Sequence, residues 1–109
     1  MSLCQTEIIY ESEGFVLTRC VDCGRLGMLF GQGMLCFDQA NFEAFMNYMD
    51  KMVFEADKMQ FYDDRDRVMI ETYHPDVHFC LVEEEFYRLK AALAEVKLQL
   101  NILDLIRQF

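Results

Sequence analysis

Two groups of residues in this 109-residue chain have the types and spacing to do chemistry. The first is Cys20-Val21-Asp22-Cys23-Gly24. Two thiolates at C-x2-C can grip one zinc ion from a tight turn, and the glycine that follows permits the bend. The second is His74 and His78, which flank Pro75-Asp76-Val77. A structural zinc ion takes four ligands, and the chain holds no second C-x2-C to supply them. Two completions remain. His74 and His78 can join Cys20 and Cys23 as a Cys2His2 set, or a second chain can bring its own cysteine pair across a dimer axis. The alternative is a turn whose thiols pack as small hydrophobes.

Other chemistries fit less well. A thioredoxin-like C-x-x-C opens a helix, whereas here Gly24, Arg25 and Gly27 lead into a strand. The sequence places no Ser or Cys nucleophile beside the histidines, so no catalytic constellation is expected. Asp63, Asp64, Asp66 and Glu83 to Glu85 lack the pattern of a calcium loop, and the glycines form no phosphate-binding motif. Neither a catalytic nor a cofactor-binding residue is assigned. Cys36 and Cys80 are expected in the core, as buried cysteines usually are.

The elements that must position these residues follow from turns and periodicity. Ser12-Glu13-Gly14 joins two strands into a hairpin over residues 6–20, and Gly31-Gln32-Gly33 joins Leu26 to Phe30 with Met34 to Phe37. Pro75-Asp76 turns between Val68 to Tyr73 and Val77 to Leu81. A helix from about Asp38 to Met59 carries Phe42, Phe45, Met49, Met52 or Val53, and Ala56 at steps of three and four. A second begins near Glu83, where three glutamates favour the positive end of the helix dipole, and repeats Phe86, Leu89, Leu93, Val96, Leu100 and Leu103. A shift of 44 residues lays Cys36 on Cys80, Phe37 on Leu81, Phe42 on Phe86, Phe45 on Leu89, Met49 on Leu93 and Met52 on Val96. The expected fold is one α+β domain of order β-β-β-β-α-β-β-α: the hairpin and two ββα-like units, 26–59 and 68–107. Its antiparallel sheet meanders, with both helices on one face.

Two apolar surfaces exceed what one core needs. On the last helix Ala91, Leu98, Ile102, Leu105 and Phe109 form a second line nearly opposite the first; Leu98, Ile102, Leu105 and Phe109 are the expected subunit interface of a homodimer. On the sheet, three-residue turns would pair Phe30 with Met34 and His74 with His78. One face would then carry Met28, Phe30, Met34 and Cys36 with Thr72, His74, His78 and Cys80. Leu29, Leu35, Phe37, Tyr73, Val77, Phe79 and Leu81 would face the helices. The apolar half of the first face calls for a cover, either another chain or the N-terminal hairpin.

Bulk properties narrow the partners. The net charge is −9, and the ten Lys and Arg residues are scattered without a basic run. Nucleic acid and anionic membrane surfaces are therefore disfavoured. MSLCQTEIIYESEG has no signal-peptide layout and no stretch is long enough to span a membrane, so a cytoplasmic protein with reduced thiols is expected. The expected role is non-enzymatic: protein binding or structure, possible zinc binding being the alternative.

The run from Cys20 to Phe37, CVDCGRLGMLFGQGMLCF, followed by Phe42 and Phe45, resembles a family of short bacterial proteins of unknown function. Their pattern is a C-x-x-C turn, an F-G strand, a second strand and an F-x-x-F helix, and the resemblance runs from about Gly14 to Met49. It implies no activity, and only Cys20 and Cys23 correspond to a shared site. The element order and acidity also resemble small dimeric secretion chaperones, which usually begin with an additional helix that this N-terminus does not supply.

Overall fold

The computed structural model describes residues 5–108. The first four strands are β1 (Thr6–Ser12), β2 (Phe15–Cys20), β3 (Leu26–Phe30) and β4 (Gly33–Phe37), which form an antiparallel meander in that order. Then come α1 (Gln39–Lys51), a one-turn α2 (Phe54–Asp57) and the two-residue β5 (Met59–Gln60). β6 (Asp66–Glu71) and β7 (His78–Leu81) join β5 in a second antiparallel sheet, and α3 (Glu83–Arg107) closes the chain. The fold is α+β with the expected order of strands and helices. The strands divide between two sheets, and α2 and β5 are additional elements between α1 and β6.

One apolar cluster joins both sheets to the helices. Phe15, Leu17, Met28, Phe42, Met49, Val68, Ile70, Phe86, Leu89 and Val96 are all nearly inaccessible. The positions related by the 44-residue shift behave alike: Phe42 with Phe86, Phe45 with Leu89, Met49 with Leu93 and Met52 with Val96 are buried. Two ββα units thus turn the same apolar positions inward, because periods of two and 3.6 residues select the same faces in each. They meet at Gly33, where an added Cβ would lie 2.8 Å from Cε1 of Phe79. Only glycine lets that ring rest on β4.

Strand register departs from expectation at the first glycine turn. Gly31 and Gln32 alone form the loop, so Phe30 pairs with Gly33 and Met28 with Leu35. Gly31 has φ +58°, the positive first position of a two-residue hairpin turn. A one-residue slip exchanges the faces of a strand. Met28 and Phe30 therefore enter the core with Leu35 and Phe37, and Leu29 points outward beside Met34. The expected assignment of Met28 and Phe30 to the open face is corrected. Cys36 and Cys80 are corrected too: each alternates with inward-facing neighbours and is exposed.

The helix expected to continue to Met59 ends at Lys51. Asp38 is its N-cap as expected, accepting from Asn41 N–H at 2.7 Å. Met52 and Phe54 would point about 200° apart in a continuous helix, yet both are buried. Breaking the helix at the extended Met52 and Val53 resolves that conflict. The break has its own bonds: Lys90 Nζ donates to Met52 O at 2.6 Å, and Val53 N–H donates to Asp57 Oδ2 at 2.9 Å.

Between β5 and β6, both Asp63 carboxylate oxygens accept from Arg67 at 2.8 Å. The Arg67 guanidinium, helped by Arg65 N–H, lowers the Asp63 pKa to about 2. A carboxyl lowered by folding stabilises the fold above its unfolded pKa of about 3.9. That contribution fades as pH falls through about 2. Asp63→Asn should therefore flatten the dependence of the urea midpoint on pH across this window and leave the slope above pH 5 unchanged.

Candidate functional site

Helix α3 is 25 residues long, and its inner face spends its buried residues early: Phe86, Leu89, Ala92, Leu93 and Val96. Glu85 holds its start, accepting from Val82 N–H at 3.1 Å. Beyond Val96 no residue of the helix is fully buried; Leu100 and Leu103 are half-covered. The second apolar line lies where the periodicity places it. Leu98 is 52% exposed, Ile102 40% and Leu105 56%. Phe109, the fourth expected interface residue, lies outside the described residues.

This line runs farther back than the sequence reading carried it. Tyr87, Ala91, Ala94, Leu98, Ile102 and Leu105 follow at steps of four, three, four, four and three, and all are exposed. At about 100° per residue they stay within a narrow strip, half a turn from the core stripe. Tyr87 and Leu98 stand eleven residues apart, a repeat that tracks the helix with little drift. Tyr87 also lies beside Phe54, at 6.4 Å between ring centroids. Ile106, 62% exposed, flanks the strip.

The end of α3 is tied back at its edge. Arg107 and Arg19 both reach Glu7 Oε1, at 3.2 and 3.1 Å. The Arg19 guanidinium chiefly, and Arg107 after it, hold the Glu7 carboxyl below the usual carboxylate range. Between α1 and α3 lies a groove of about 340 Å³ lined by Phe42, Met46, Leu93 and Leu100 among others. Arg19, Lys90 and Lys97 border it beside Glu43, Asp50 and Asp104. These charges balance, whereas the whole chain stands at −9. On the far side of the first sheet, Ile8, Leu29 and Met34 are exposed at 62, 39 and 57%. β1 and β2 extend that sheet at its edge, so the hairpin does not cover this face.

The cysteine turn is built as a knuckle. Cys20 is buried at the end of β2, and Cys23 N–H donates to Cys20 Sγ at 3.4 Å. Gly24 N–H closes the bend on Cys20 O at 2.9 Å, with φ +77° at Gly24. The histidines sit elsewhere. His78 pairs with Glu71 rather than with His74, and Thr72 organises the connection. Thr72 Oγ1 lies 2.7 Å from Val77 O and accepts from His74 N–H at 3.1 Å. Among the described residues, no three His, Cys, Asp or Glu side chains gather closely enough to hold a metal ion. Cys20 and Cys23 are brought together, and the histidine pair is not brought to them. No polar or charged residue among those described is buried.

An α+β chain with two antiparallel meanders and a long, two-sided helix is the class defined here. The chain belongs to DUF6686, a family of unknown function, which it matches over residues 1–107. Among curated proteins and solved structures, none matches it. Among the described residues, no helix is long and apolar enough to cross a membrane.

Proposed function

We propose that this protein acts as a homodimeric protein-binding or structural module, without catalysis of its own, in the cytoplasm. The observation that carries this reading is the apolar strip on the solvent side of α3, running from Tyr87 to Leu105 opposite the core. A helix anchored on one side needs only one apolar stripe. A second, nearly straight stripe suits packing against the same stripe of a neighbour, and a two-fold axis lets each copy supply both halves. The radius of gyration, 15.0 Å, exceeds the roughly 13 Å of a compact chain of this length. The open sheet face with Ile8, Leu29 and Met34 is then left for a protein partner. Light scattering over a dilution series tests the reading. It predicts twice the 12.9 kDa chain mass at micromolar concentration, whereas a constant 12.9 kDa would refute it.

A metal-binding role is a second reading, favoured by the N–H···S bond in the knuckle. It uses Cys20 and Cys23 but draws its further ligands from elsewhere than His74 and His78.

A further inference from the structure

We infer that the recess between α1 and the end of β6 binds a quaternary ammonium head group. The recess measures about 250 Å³, and four aromatic rings line it. Phe37 comes from β4, Phe45 and Tyr48 from α1, and Tyr73 from just past β6. Phe37 is the hub, its ring centroid 5.3 Å from that of Phe45 and 5.8 Å from that of Tyr73. The Phe37 and Tyr73 planes stand at 73°, so the two rings form a corner and not a stack. Tyr48 follows Phe45 at 6.5 Å. The walls are also tied to each other, because Glu71 N–H donates to Tyr48 Oη at 3.1 Å and joins β6 to α1.

The face of an aromatic ring is negative, and converging rings attract a cation. The fold sets its own cations on rings elsewhere, Arg67 over Phe61 and Lys90 over Phe86. Among the described residues, no lysine, arginine or histidine lines this recess, whereas Glu71 does. The Glu71 carboxylate makes no ion pair among the described residues. The chain's net charge of −9 adds to the pull on cations. A primary ammonium brings three N–H donors and a tightly held water shell, so it needs several acceptors. Here Tyr48 Oη and Thr72 Oγ1 already accept from Glu71 N–H and His74 N–H. A trimethylammonium group has no donor to satisfy and sets its methyl groups against the rings. Sites that enclose a drug-sized ligand measure roughly 300–1,000 Å³, so this smaller recess suits a head group whose remainder stays in solvent. No residue of α3 lines it, so the inference stands apart from the dimer.

The test is an NMR titration of the full chain with tetramethylammonium chloride, against sodium chloride at equal ionic strength. Tetramethylammonium is expected to shift the ring protons of Tyr48 and Tyr73 saturably. Choline and a short peptide bearing trimethyl-lysine distinguish a free small molecule from a modified protein side chain, the tighter binder naming the source. The uncharged tert-butyl counterpart of choline should bind at least about tenfold more weakly than choline, because it loses the attraction of several rings. Phe37 and Phe45 are buried, and their variants can fail to fold; the exposed Tyr73 and Glu71 serve instead. Tyr73→Leu should weaken tetramethylammonium binding about two- to fivefold, the scale of one cation–π contact at an exposed position. Glu71→Gln should weaken it too, and Tyr62→Leu, on the exposed link between β5 and β6, should not. No saturable shift in the wild type, equal affinity for choline and its uncharged counterpart, or unchanged affinity in Tyr73→Leu would overturn the assignment.

Discussion

Replacing Leu98 and Leu105 together by lysine should convert the proposed dimer into a soluble, folded monomer. Both side chains are more than half exposed in the single chain, so neither contributes to its core. Burying a leucine contributes about 1.5–3 kcal/mol. A two-fold dimer carries each substitution twice, and each leucine has about half its surface left to bury, so four are worth about 3 kcal/mol at the lower bound. That corresponds to about a hundredfold weaker association, before the cost of burying lysine is added. Light scattering reads the mass, and circular dichroism the helix content. Loss of structure together with mass would mean that the strip is core. An unchanged dimer mass would place the interface elsewhere, the sheet face of Ile8, Leu29 and Met34 being the next candidate.

Phe86→Ala should cost about 3–5 kcal/mol, the range for emptying a buried aromatic site. Phe86 is fully buried at the first turn of α3, with the Phe54 ring centroid at 5.9 Å and Lys90 Nζ at 5.7 Å from its ring centre. It therefore ties α3 to the one-turn α2 and, through Lys90, to the break after α1. A domain of this size is stable by only about 5–15 kcal/mol, so the loss removes a large share of the total. The urea midpoint should fall accordingly. A shift below about 1 kcal/mol would mean that the surrounding side chains close the cavity.

The contrast between these two substitutions reflects what a periodic sequence can and cannot reveal. Steps of three and four separated Leu98 and Leu105 from Phe86 and Leu89 on one helix, because side-chain direction there depends on spacing alone. In the strands a single turn residue decides direction. Gly31-Gln32-Gly33 is compatible with a two- or a three-residue loop, and only the former puts Phe30 inside. Hydrophobicity could not arbitrate, since Met28, Leu29, Phe30 and Met34 are all apolar. The helix break at Met52 was likewise hidden, because its cause lies in distant partners: Lys90 caps a carbonyl 38 residues away. Cys36 and Cys80 followed their strands outward, against the usual preference of cysteine. The C-x-x-C turn was legible from spacing.

Hydrogen exchange followed by mass spectrometry at two protein concentrations tests the central claim most directly. A half-helix with no cover on its far side opens readily, and pairing with a second copy should slow it. Peptides covering residues 98–106 should exchange more slowly at high concentration than after dilution, and by a larger factor than those covering residues 86–96, which the core already holds. Exchange at 98–106 that is independent of concentration would contradict an interface on α3.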